Sequence, residues 1–126
     1  MTEATEQFFA TLPARAPAIL RAPVDGTLRI DLSDGQRTVH WLVRMRPGAA
    51  EVSQGPEPAD AIWYSGEDLF DRLVTGRAQA LAALFRNEST YTGNVVLFLA
   101  FRLFFPAAPG TRDPREVARE HVRRGR

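Results

Sequence analysis

The chain has no cysteine and no lysine in its 126 residues, and two histidines. Without cysteine there are no disulfides, no thiol catalysis and no thiolate metal site. Two distant histidines make no zinc site, so no metal is expected. No glycine-rich phosphate loop occurs, and no cofactor is expected either. All sixteen basic residues are arginine. That reads as the codon bias of a GC-rich, bacterial genome, not as phosphate recognition. A formal net charge of +1 supplies no field for a polyanion over the whole chain. A basic patch with aromatics between the charges is missing, so no nucleic-acid partner is expected.

The N-terminal "MTEATEQFF" carries acids where a secretion signal has a basic region, so a cytoplasmic location is expected. Long hydrophobic runs are missing too. The best, residues 95–105, is broken by Arg102 and falls short of the about 20 apolar residues that span a bilayer. At most a transient membrane contact is expected.

What is present fits one domain with a real core. Composition divides it into a folded part, residues 1–106, and an Arg- and Pro-rich tail, residues 107–126, flexible or weakly helical. "EATEQFFATL" (3–12) predicts a short helix with Phe8, Phe9 and Leu12 on one side, ended by Pro13. "GTLRIDLSDGQRTVHWLVRMRPG" (26–48) predicts a hairpin turning at Asp34-Gly35. That turn pairs Ser33 with Gln36, Asp31 with Thr38 and Arg29 with His40, all on a polar face. Leu28, Ile30, Leu32, Val39, Trp41, Val43 and Met45 alternate onto the other face, which must be buried.

Two short strands are predicted near 49–53 and 60–64. A helix follows from Ser65, where Ser65 and Asp68 resemble a capping box, with stripe Leu69, Phe70, Leu73, Val74 and a stop at Gly76. A second helix, 78–85, turns Leu81, Leu84 and Phe85 inward. "STYTG" (89–93) reads as a strand. Asn94 caps a last helix that Pro106 stops. Strands grouped before helices argue an α+β fold, with helices layered on one face of a mainly antiparallel sheet.

Catalytic residues are hard to find. His121 lies in the charged tail. His40 shares a face with Asp31 and Ser33, but Ser33 is about 10 Å away at strand rise, beyond triad reach. Asp31→Ala and His40→Ala are therefore expected to leave function nearly intact, with stability moved by less than about 0.5 kcal/mol. The unusual feature is apolar surplus. A last helix apolar on nearly every side needs cover on both sides.

Three words in order, "GTLRIDLSDG", "DAIWYSGEDLFDRLVTGRAQALAALFRNESTYTGN" and "LFLAFRLFFP", resemble the sterol carrier protein type two family over residues 7–106. The resemblance implies a five-stranded mixed sheet with helices on one face, enclosing an apolar tunnel. It implies non-enzymatic binding of a sterol, fatty acid or fatty acyl-CoA, and possible transfer of that lipid. Two departures stand out. Arg86-Asn87-Glu88 replaces the family's glycine after the second short helix, and "RRGR" is not a peroxisomal address.

With that fold in mind, the residues expected to line the cavity are Ile62 on a strand, Leu69 and Leu73 on the first short helix, and Leu81, Leu84 and Phe85 on the second. On the last helix they are Val95, Phe98, Leu99 and Phe101, with Arg102 at the mouth to meet a headgroup. Phe98 is assigned to the ligand side and Phe101 to the protein side. The alternative is an interaction module, its last helix covered by a second subunit or a partner enzyme. As a carrier the chain is expected to be a monomer or weak homodimer.

Overall fold

Strand alternation sets the layers in the computed structural model, which describes residues 2–106. Strands β1 (Gly26–Ser33), β2 (Thr38–Arg46), β3 (Ala49–Gln54), β4 (Ala61–Gly66) and β5 (Ser89–Gly93) form one sheet, in the order β3-β2-β1-β4-β5. β1 and β4 run parallel and the other pairs are antiparallel. Leu28, Ile30, Leu32, Val43, Met45 and Trp63 are fully buried on the inner face. The fold is α+β with a mixed sheet, as the sequence predicts. The tail lies outside the described residues.

The hairpin turns one residue later than expected. Asp34 N donates to Arg37 O at 3.1 Å, so Gly35 and Gln36 make the turn, with Gly35 at φ +97. Asp34 Oδ1 accepts from the amides of Gln36 and Arg37, each at 2.8 Å. This Asx arrangement makes Asp34 the entry residue of the turn. The amides of Arg37 and Gln36 also hold its carboxyl below the ordinary value. Ser33 therefore pairs with Thr38, and Asp31, not Arg29, pairs with His40. A register shift of two residues leaves every side chain on its face.

Helix α1 (Glu3–Ile19) runs through Pro13 and Pro17 instead of stopping at Pro13. Both prolines are exposed, one turn apart, while Phe8, Phe9, Leu12 and Ala16 are buried. The hydrogen bonds that proline forgoes thus run along the solvent side. Packing of the inner stripe overrides local propensity. Phe9 stacks on Trp41 with ring centroids 4.1 Å apart.

Ser65 is not a cap. It is a fully buried strand residue, and α2 (Glu67–Val74) starts after Gly66 with Glu67 and Asp68 in its first turn. Helix α3 spans Ala80–Phe85. Its inward pair is Ala80 and Ala83, which leaves Leu81 and Leu84 half-buried and Phe85 78% exposed. Phe85 falls on the side of the helix opposite Ala83, and so faces solvent.

Helix α4 is short, Val95–Phe101, and tightens into a 3-10 turn over Arg102–Phe104. Asn94 caps it as expected, its Oδ1 accepting from Val96 N at 2.9 Å. Gly93 before it needs its positive φ of +100 and its bare Cα, since a Cβ there would meet Asp60 O at 2.4 Å. Among the described residues no helix is long and apolar enough to cross a membrane.

Candidate functional site

An aromatic layer lies between sheet and helices. Trp63 stands edge-on to Phe98 at 5.2 Å and to Phe70 and Phe105 at 5.9 Å each. Phe101 sits 5.5 Å from Phe105 and 5.9 Å from Phe8, also edge-on. Rings in these offset geometries attract through their quadrupoles as well as by burial. The indole N–H groups of Trp41 and Trp63 and the Ser89 hydroxyl are buried there without a hydrogen-bond partner. The phenol of Tyr91 borders the layer, 5.2 Å from Phe98, and donates to Asn94 O at 2.6 Å. Burial pushes this phenol up to about 12.

On the other side of α4 lies an open apolar pocket of about 140 Å³. Ile19, Leu20, Ala22, Pro23 and Val24, at the end of α1 and in the link to β1, form one wall. Val96, Leu99, Ala100 and Leu103 form the other. Helix α4 thus divides the pocket from the aromatic layer, with Leu99 facing the first and Phe98 and Phe101 the second. Two contacts pin its ends. Asn94 N donates to Asp60 O at 3.2 Å, and the Arg15 guanidinium donates to the Phe104 carbonyl. Arg15 also lies over the Phe8 and Phe104 rings, at 5.5 and 5.6 Å.

The residues expected to line a cavity separate into groups. Leu69, Leu73, Phe98 and Phe101 are buried in the layer that faces the sheet, and Leu81 and Leu84 are half-buried at its border. Phe98 does not stand apart from Phe101. Both are core rings, at 1% and 0% exposure. Ile62 pairs with Arg29 and Thr92, which puts it on the outer sheet face, away from the helices. Its neighbour Trp63 takes the inner position, because successive strand residues alternate faces. Val95, Leu99 and Arg102 lie on the exposed side of α4, and of the expected residues Leu99 borders the pocket. The wall at residues 19–24 was missed. Its signal in the sequence is the apolar run "ILRAPV", broken by Arg21 alone.

The outer face holds a polar cluster. Asp31, 7% exposed, accepts from Arg29 Nε at 3.0 Å and Nη2 at 3.2 Å, and His40 Nδ1 lies 2.6 Å from its Oδ1. Arg29 Nη1 reaches on to the carbonyls of Pro56 and Glu57. The Ser33 hydroxyl is engaged with the Gly35 amide at 3.1 Å. The cluster ties the loop after β3 to the sheet. Among the described residues no group of three or more His, Asp or Glu is placed to hold a metal ion.

The model of the SCP-2 sterol transfer family matches residues 6–105, nearly the whole described chain. The chain belongs to this family. Solved structures agree on the fold. The palmitated SCP2L2 of Aedes aegypti aligns with TM-score 0.64 at 17% identity, covering 79% of this chain and 90% of that one. Sterol carrier protein 2 of the same mosquito, in complex with palmitate, gives 0.63 at 16% identity, covering 84% and 100%. A double mutant of the sec-alkyl sulfatase PisA1 gives 0.66 at 19% identity, covering 90% of this chain and 18% of that one. The SCP-2 fold thus also occurs as a minor part of a much longer chain. Across these sequence distances it is the fold that persists.

Proposed function

We propose that this chain is a non-enzymatic carrier of an alkyl-chain lipid, a fatty acid before a fatty acyl-CoA or a sterol. The observation that carries the reading is the open apolar pocket backed by α4, with an aromatic interior directly behind that helix. Both Aedes structures are described with palmitate, which supports a fatty acid as the first ligand to try.

Size decides how the ligand is held. Sites that enclose small molecules have roughly 300–1,000 Å³, and the pocket holds about 140 Å³. It takes the end of an acyl chain, not all of it. Outward movement of α4 and the 3-10 turn joins the pocket to the space around Phe98 and Phe101. It is resisted by the Asp60–Asn94 and Tyr91–Asn94 hydrogen bonds, by the Arg15 clamp on Phe104, and by the packing of Leu97, Phe98, Phe101 and Phe104, which the ligand has to replace. Leu69, Leu73, Leu81 and Leu84 then border the opened cavity, with Arg102 at its rim.

Native mass spectrometry of the chain with palmitate, palmitoyl-CoA and cholesterol tests the reading. One palmitate per chain is the expected result. Binding of none of the three refutes it. A second reading rests on the exposed side of α4 and on the fold's occurrence inside a longer enzyme: an interaction module. Size-exclusion chromatography with light scattering separates the two, since a strict dimer that binds none of the three lipids favours the module.

A further inference from the structure

Four side chains that carry a polar hydrogen stand together on the inner face of β4 and β5. Trp63 pairs with Tyr91, and Ser65 with Ser89. Residues two apart on a strand share a face. Two of the four are committed within the fold. The Tyr91 phenol donates to Asn94 O at 2.6 Å, and the Ser65 hydroxyl to Gly66 O at 3.0 Å. The other two are not. Trp63 is 0% exposed and Ser89 4%, and neither the indole N–H nor the hydroxyl has a hydrogen-bond partner. They are diagonal neighbours across the β4–β5 ladder, a spacing of roughly 7 Å between Cβ atoms that an aromatic side chain can reach across. A buried donor left unpaired is costly, and native interiors hold few of them.

What covers this pair is apolar. Phe98 of α4 stands edge-on to Trp63, and α3 packs on β5 with Ala80 and Ala83 turned inward. Neither phenylalanine nor alanine offers a side-chain acceptor. Phe98 is also the ring that the carrier reading displaces when α4 moves outward, so a chain that enters there lies against Trp63.

The two groups define what that chain carries. An indole N–H only donates, whereas a hydroxyl donates and accepts. One oxygen can accept from Trp63 while it accepts from, or donates to, Ser89. That oxygen is uncharged: among the described residues no basic side chain is buried, so a carboxylate there would have no counter-charge. A plain methylene chain leaves both donors unpaired. We infer that Trp63 and Ser89 select an acyl chain bearing a hydroxyl or keto oxygen along its length over an unsubstituted one. The inference rests on the carrier reading and names the lipid class within it. A sterol hydroxyl has the same chemistry, but a pocket of about 140 Å³ takes a chain end, which favours a chain over fused rings as the bearer.

The test uses the full chain labelled with heavy nitrogen. Its two tryptophans give two indole N–H signals, assigned with Trp63→Phe. The probes are stearate, hydroxystearates and ketostearates that differ in the position of the oxygen, and cholesterol. At the matching position the oxygenated chain should bind roughly tenfold more tightly than stearate. The Trp63 N–H proton should then move downfield, as it does on forming a hydrogen bond. Trp63→Phe and Ser89→Ala should each erase most of the preference. Tyr64→Phe, altered on the outer sheet face, should keep it. Without ligand, Ser89→Ala should unfold at the parent's urea concentration or above it, because it removes a buried group that the fold leaves unpaired. Circular dichroism checks that each variant is folded. If Trp63→Phe is not, Trp41→Phe assigns the signals and Ser89→Ala carries the test.

The proposal is overturned if the preference survives in Ser89→Ala. It is overturned if Ser89→Ala clearly destabilises the ligand-free chain, since the hydroxyl then has a partner in the folded state. Cholesterol that moves the Trp63 signal where no chain does overturns the chain as the bearer of the oxygen. Stearate that binds as tightly as every oxygenated chain overturns the proposal and leaves the carrier reading standing, whereas binding of none of the probes overturns both.

Discussion

Phe98→Ala probes the layer that α4 closes. Phe98 is 1% exposed and stands edge-on to two rings, Trp63 and Tyr91, each 5.2 Å away. The sequence reading placed it on the ligand side, where truncation costs less than in a packed core. The packing reverses that. A buried phenylalanine cut to alanine costs about 3–5 kcal/mol. Each edge-on aromatic pair contributes roughly 0.5–1.5 kcal/mol beyond burial, so the upper half of that range is expected. A domain has about 5–15 kcal/mol in all, so the variant should fold but melt roughly 15 °C or more below the parent. Urea denaturation in the cold, followed by tryptophan emission, gives the free energy, since Trp63 adjoins the site. The void left beneath α4 lies where the carrier reading lodges the acyl chain. Palmitate in about hundredfold excess over its Kd should therefore return about 2.7 kcal/mol. Phe101→Ala, also fully buried, should cost as much. A loss below about 1.5 kcal/mol for Phe98→Ala refutes the reasoning, for the ring would then border open space.

Asp31→Ala strands the Arg29 guanidinium, whose side chain is 18% exposed, and releases its hold on Pro56 and Glu57. A loss of about 2–3 kcal/mol in urea is expected, well above the 0.5 inferred from the sequence, and faster amide exchange in residues 55–60 should accompany it. His40→Ala should cost about 1 kcal/mol or less; equal losses in the two variants would contradict the central role given to Asp31. Tyr91 supplies a pH signature. Its phenol is raised by burial from 10.0 to about 12, so the folded state keeps a proton that the unfolded state sheds. The resulting stability is fully present below about pH 10 and is lost as pH rises toward 12. Denaturation midpoints across that window should fall for the parent and flatten in Tyr91→Phe.

The period-two pattern in residues 26–46 was enough to assign both faces of the sheet, because a strand's side chains alternate whatever its partner is. The Asn94 cap was equally readable, since local hydrogen bonding decides it. Register was not. It turned on the Asp34 carboxylate gathering the amides of Gln36 and Arg37, and that placed Asp31 against His40. Pro13 read as a breaker, yet the helix continues through it and Pro17 because both face solvent while Phe9 and Leu12 are held by the core. Ser65 read as a cap, but the pairing of β4 with β1 and β5 claimed it for the sheet. The last helix was the least legible element. A segment apolar on every side has no preferred face of its own, so its sequence cannot say which residues turn inward. Packing against Trp63 chose Phe98 and Phe101 for the interior. It left Val95, Val96, Leu99 and Leu103 outside, against a pocket wall drawn from the distant end of α1.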